Sequence, residues 1–170
     1  KVSKKDYLKM IKLKTAVLLG CSMKMGALIG GLSESESDKF YFYGINLGIA
    51  FQLKDDYLDV FGENEKFGKK NGGDIIENKK TLMYIFALNN SDKHQKSRLI
   101  KFFTEKPLKS ELKIKSVREI FLKTGADKDI KKEIKYYEKK AIEGIKSFSV
   151  TNKNKKIFEK LTIDLMSREI

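Results

Sequence analysis

Phe51-Gln52-Leu53-Lys54-Asp55-Asp56-Tyr57-Leu58-Asp59 is the stretch on which the reading of this chain turns. Its three acids sit at i, i+1 and i+4 inside an otherwise apolar run. On an α-helix Gln52, Asp55, Asp56 and Asp59 are spaced i, i+3, i+4 and i+7, so they share one stripe. Leu47, Leu53, Leu58 and Phe61 are left for the packed sides. A solvated helix face would dilute such acids with lysine at i+4. Here the carboxylates repel one another and call for a cation. Carboxylate oxygens are hard ligands suited to Mg²⁺, which takes one or two of them and fills its shell with water and substrate phosphates. Phe67-Gly68-Lys69 and Asp74-Ile75-Ile76-Glu77-Asn78-Lys79-Lys80-Thr81 follow closely. Glycines at 68, 72 and 73 let the backbone approach anionic oxygens, and lysine binds phosphate as a mobile point charge. These residues together point to a Mg²⁺-bridged diphosphate site.

Upstream, Lys14-Thr15 lies in the apolar helical run Tyr7 to Leu19. FQLKDDYLDVFG, then FGK, then GGDIIENKKT, with the Lys14-Thr15 pair before them, resembles the second aspartate-rich region of the trans-isoprenyl diphosphate synthases. These are the polyprenyl synthetase family, farnesyl and geranylgeranyl diphosphate synthases among them. Order and spacing agree from about residue 5 to 82. The resemblance implies an all-α helical bundle of the isoprenoid-synthase type and a prenyltransferase. Its substrates would be an allylic diphosphate and isopentenyl diphosphate, and its cofactor Mg²⁺. It implies that Asp55 is the most direct metal ligand, with Asp56 and Asp59 beside it. Asp74 would join the outer shell or cap its own segment. Lys14, Lys69 and Lys79 would contact the allylic diphosphate; Lys70 and Lys80 adjoin the latter two, but the spacing favours Lys69 and Lys79. Thr15 and Gln52 would place uncharged dipoles near the allylic carbon that becomes cationic.

Members of this family carry a first aspartate-rich motif far upstream, and no second DDxxD-type cluster occurs before residue 51. The chain is therefore expected to be the C-terminal half of a synthase, its N-terminal half missing. Alone it is expected to be inactive and to expose apolar surface on its first two helices, which favours association into a homodimer.

Composition fits this reading. The formal charge of +13 raises the possibility of a nucleic-acid partner. The lysines, however, are scattered over nearly every helix, and the aromatics follow core spacing rather than forming a stacking platform. No nucleic acid is expected. Cys21 is the single cysteine, consistent with a reducing compartment. No apolar run approaches the ~20 residues that span a bilayer, so no integral membrane segment and a cytoplasmic location are expected. Two alternatives are a non-catalytic family member or subunit and a basic helical nucleic-acid-binding module. The intact aspartate–lysine series argues against the first. A terpene cyclase shares the bundle but does not usually carry this series.

Seven helices are predicted in one domain over 1–170: about 4–30, 35–62, 80–90, 92–104, 109–124, 127–148 and 152–168, with a loop at 63–79. Gly30-Gly31 ends the first, and Ser33 or Ser35 caps the second. Asn89-Asn90-Ser91, Pro107, Gly125 and Thr151-Asn152 supply later breaks. Gly44 and Gly48 mark either close helix packing or room for a substrate chain. Leu18, Cys21 and Met25 continue the Lys14 face, as pocket lining or as core.

Overall fold

Gly30 and Gly31 stop the first helical stretch by a Schellman arrangement. Gly31 takes φ +85°, Leu32 N–H donates to the Ala27 carbonyl at 3.1 Å and Gly31 N–H to that of Leu28 at 3.0 Å. Two residues later Ser33 opens the next helix, its hydroxyl accepting from Glu36 N–H at 3.3 Å, with Glu34 and Glu36 in the positive first turn. Ser33, not Ser35, is thus the cap. The computed structural model describes residues 2–62, 71–105 and 109–167. Their helices are α1 (Lys4–Ile11), a widened turn at Lys12–Ala16, α2 (Val17–Ile29), α3 (Glu34–Phe61), α4 (Gly73–Ile76), α5 (Leu82–Asn90), α6 (Lys93–Thr104), α7 (Ser110–Lys123), α8 (Ala126–Ile145) and α9 (Asn152–Met166). No strand occurs among the described residues, so the all-α expectation holds.

The seven predicted helices are all present, with two differences. The first is interrupted by the widened turn, and the predicted 63–79 loop contains α4. Residues 63–70 and Pro107 lie outside the described residues.

The chain forms two compact units. One comprises residues 8–54 and 133–167. Its core is aromatic: Phe40 stacks on Phe148 with centroids 3.8 Å apart and meets Phe158 edge-on at 5.5 Å. The buried Tyr43 hydroxyl pairs with Thr162 Oγ1 at 2.9 Å and the Phe158 carbonyl at 3.2 Å, which satisfies a polar tip that burial would otherwise penalise. On the outside, Leu13, Leu18, Met25, Ile29 and Phe42 are exposed, as expected for the first two helices. Leu18, Cys21 and Met25 are therefore not core.

The other unit comprises the described residues of 2–7 and 55–132. Leu99, Val117, Phe121 and Ile130 are buried at its centre, and Tyr84 packs on Phe103 with centroids 4.3 Å apart. Asp92 and Gln95 close a capping box at the start of α6. This unit holds the acids.

Candidate functional site

The acidic region is built around Asp59. Its Oδ2 accepts the Asp74 N–H at 2.9 Å, and its backbone carbonyl accepts the Gly72 N–H at 2.6 Å. The short helix α4 is thereby seated on the end of α3. Gly72 is required by this seat, and Gly73 leaves room for it. Gly72 has φ +89°, and a Cβ there would lie 2.8 Å from the Ile114 side chain; a Cβ on Gly73 would press on Asp59 Oδ1 at 3.1 Å. Burial pushes the Asp59 carboxyl up, the Asp74 N–H bond pulls it down, and the Asp74 charge pushes it up again.

Asp74 Oδ1 in turn accepts from Lys79 Nζ at 2.8 Å, and Lys79 also pairs with Glu77 at 2.8 Å. Bonds to Asp74, then to Glu77, hold the Lys79 ammonium well above the ordinary lysine range. The turn between them is fixed from below. Asn78 sits at φ +58°, a left-handed position that asparagine tolerates. Its Oδ1 accepts from Lys113 Nζ at 2.5 Å, and the same ammonium lies 3.5 Å from the Ile76 carbonyl. Lys113 is buried, lies 5.3 Å from the Phe103 ring centroid, and burial lowers its pKa.

Asp56 is buried, unlike its half-buried neighbours Asp55 and Asp59. The equally buried Tyr7 hydroxyl donates to Asp56 Oδ2. Burial, and next the Asp56 charge, push the Tyr7 pKa far above the ordinary phenol value. Sequence reading placed Tyr7 only on an apolar helix face. The signal available was an aromatic residue with a polar tip on a helix otherwise lined by aliphatics.

In the other unit, the widened turn carries the Lys14-Thr15 pair. Val17 N–H donates to the Lys12 carbonyl, five residues back instead of four, so one extra residue is accommodated in the turn. Lys14 is exposed and Thr15 half-buried. Thr15 Oγ1 donates to Gln52 Oε1 at 3.0 Å. Gly44 and Gly48 explain how the two backbones come so close. A Cβ at Gly48 would lie 2.7 Å from Ala16 Cα, and one at Gly44 would lie 2.7 Å from Gly20 Cα. Close packing, rather than space for a chain, is their use here.

The structure thus joins Asp59, Asp74 and Lys79 in one network, Asp56 with Tyr7, and Thr15 with Gln52. Lys69 lies outside the described residues. Among the described residues no three acids converge as a ready-made metal cluster, and no helix is long and apolar enough to cross a membrane.

The family model for polyprenyl synthetase matches residues 1–121. Geranylgeranyl diphosphate synthase of Saccharolobus solfataricus is 34% identical over 154 residues, covering 89% of this chain and 45% of that protein. The short chain isoprenyl diphosphate synthase of Methanothermobacter thermautotrophicus is 43% identical over 99 residues, 58% of this chain and 30% of that protein. A crystal structure of geranylgeranyl pyrophosphate synthase superposes with a TM-score of 0.92 at 42% identity, covering 100% of this chain and 53% of its own. Polyprenyl synthase from Caulobacter crescentus CB15, solved with calcium and isoprenyl diphosphate, gives 0.90 at 30% identity, covering 100% and 51%. The chain spans about half, or less, of the length of these relatives. With the family model matched over most of its length and the helical fold shared throughout, this chain belongs to the polyprenyl synthetase family.

Proposed function

We propose that this chain serves a Mg²⁺-dependent prenyltransferase that condenses an allylic diphosphate with isopentenyl diphosphate head to tail, and that residues 1–170 are the C-terminal part of its polyprenyl synthetase domain. The observation that carries the reading is the seating of α4 on Asp59, which sets Asp74 and Lys79 beside the aspartate motif. That arrangement joins two carboxylates, of Asp59 and Asp74, and the Lys79 ammonium in one hydrogen-bonded network. The donor chemistry fits Mg²⁺, which needs only one or two carboxylates when diphosphate oxygens complete its shell. Asp55 would be the most direct ligand, with Asp56 and Asp59 reaching the ion directly or through its water shell and Asp74 in the outer shell. When bound, it supplies Lewis-acid stabilisation of the departing diphosphate.

The chain's own residues do the rest. Lys79 would exchange its bonds to Asp74 and Glu77 for the incoming diphosphate, and the family resemblance assigns Lys14 and Lys69 to the same ligand. The allylic C–O bond breaks, and both its electrons leave with diphosphate. The double bond of isopentenyl diphosphate attacks the resulting cation, and a proton is lost from the adduct. Thr15, whose hydroxyl proton is engaged by Gln52, offers its oxygen lone pairs as a neutral dipole to the developing cation. A carboxylate there would trap it, whereas a fixed dipole only stabilises it. No side-chain nucleophile is needed.

Substrates, Mg²⁺ and association into a homodimer belong to this reading. So does a location in the cytoplasm. The test is Mg²⁺-dependent binding of a non-ionisable allylic thiolodiphosphate by calorimetry. Binding that Asp55→Ala abolishes supports the reading, and binding indifferent to Mg²⁺ and to Asp55→Ala overturns it.

A further inference from the structure

We propose that Tyr7 is a positioning residue for cation binding: its hydroxyl locks the plane of the Asp56 carboxylate and so selects a small octahedral cation over a larger one. This rests on the Mg²⁺ reading above and adds a residue to it. Tyr7 lies 49 positions before Asp56 in sequence, yet its hydroxyl donates to Asp56 Oδ2, and both side chains are more than nine-tenths buried. A buried carboxylate bonded by a buried phenol cannot swing about its Cβ–Cγ bond as an exposed aspartate does. The ring is itself held in the unit's core, so the donor is as fixed as the acceptor.

The physical consequence differs between cations. Mg²⁺ demands short bonds in near-ideal octahedral geometry, while Ca²⁺ accepts six to eight oxygens in variable arrangements. A carboxylate held at one rotation suits the first. A carboxylate free to rotate is a poorer ligand for Mg²⁺ but remains an adequate one for Ca²⁺. Partners that orient a ligating side chain typically contribute 10–100-fold in metal affinity.

The experiment titrates the chain, in the presence of a saturating allylic thiolodiphosphate whose oxygens complete the shell, with Mg²⁺ and, separately, with Ca²⁺ by calorimetry, comparing wild type with Tyr7→Phe, which removes the hydroxyl alone. Thermal unfolding without metal is recorded for each. The expected result is a rise in the Mg²⁺ dissociation constant of about tenfold or more, with a clearly smaller rise for Ca²⁺. A purely structural role would weaken both ions equally, so equal losses overturn the proposal. Unchanged Mg²⁺ binding overturns it as well. A wild-type chain that binds neither ion refutes the Mg²⁺ reading and this proposal with it. Where Tyr7→Phe is too unstable to titrate, Asp56→Asn and Tyr7→Phe/Asp56→Asn provide a second comparison. The neutral amide does not require the phenol as a charge-assisted donor. Tyr7→Phe is expected to change cation affinity no further in that background, and a further loss of the same size as in wild type would overturn the proposal.

Discussion

Replacing Gly48 with alanine tests the close approach that brings Thr15 to Gln52. The added methyl would lie 2.7 Å from Ala16 Cα and 2.9 Å from Ala16 Cβ, where carbon atoms prefer about 3.5–4.0 Å. The clash is with backbone, so α3 and the widened turn must part by about 1 Å. Overpacking of this kind costs about 1–3 kcal/mol. Parting them also strains the 3.0 Å Thr15–Gln52 bond, a further contribution of about 0.5–1.5 kcal/mol. Against this stands the better helix propensity of alanine, worth up to about 1 kcal/mol. The net expectation is a loss of about 1–3 kcal/mol, or roughly 2–4 °C in Tm for each kcal/mol in a chain of this size. Gly26→Ala is the internal control. It lies inside α2 with nothing within 4 Å of its added Cβ, so it should stabilise by up to about 1 kcal/mol. Urea unfolding of the two variants against wild type reads both. If Gly48→Ala were as stable as Gly26→Ala, the backbone contact and the account of Thr15 built on it would be wrong.

Lys79→Ala should weaken binding of an allylic thiolodiphosphate by about 1.5–3 kcal/mol, while the adjacent Lys80→Ala should do much less; equal losses in calorimetry would indicate a diffuse basic field. Gly72→Ala should destabilise the chain in urea, since it combines φ +89° with a 2.8 Å approach to Ile114, and wild-type stability would argue against the seated turn. Lys113 gives a pH dependence. Burial depresses its folded pKa below the ordinary 10.5, so the folded state releases its proton first and the unfolded state binds more. Wild type should therefore gain stability relative to Lys113→Met as pH rises from the depressed pKa towards 10.5, and a difference that is flat or falls over that window would remove the buried-ammonium assignment.

Much of the fold is legible in the sequence because its boundaries are written in local chemistry. Gly30-Gly31 can adopt the left-handed cap, and Ser33 can bond the orphan amides of α3. The Leu47, Leu53 and Leu58 side of α3 is buried as its periodicity requires. Two things were not legible. The widened turn inserts one residue into a run whose apolar pattern is continuous from Leu8 to Leu19, so periodicity has nothing to register. The close neighbour of its last residue, Ala16, is Gly48, far along the chain. Likewise α4 is four residues long and is held by Asp59 and Lys113 rather than by its own propensity.

The candidate site was legible as a set of residues but not as an arrangement. A stripe of acids at i, i+3, i+4 and i+7 is wide enough for its members to meet different surroundings. Asp56 falls on its buried edge against Tyr7, and Asp59 becomes the cap of a distant turn. Lys113 reads in sequence as one more surface lysine among many. Only the fold reveals that it is buried beneath Asn78.

The most direct measurement is calorimetric binding of an allylic thiolodiphosphate to the chain with and without Mg²⁺, in wild type and Asp55→Ala. Binding that requires Mg²⁺ and disappears in Asp55→Ala, with unchanged thermal unfolding, is the expected result. Binding of equal strength without Mg²⁺, or retained in Asp55→Ala, would contradict the assignment of the aspartate motif to a metal-held diphosphate.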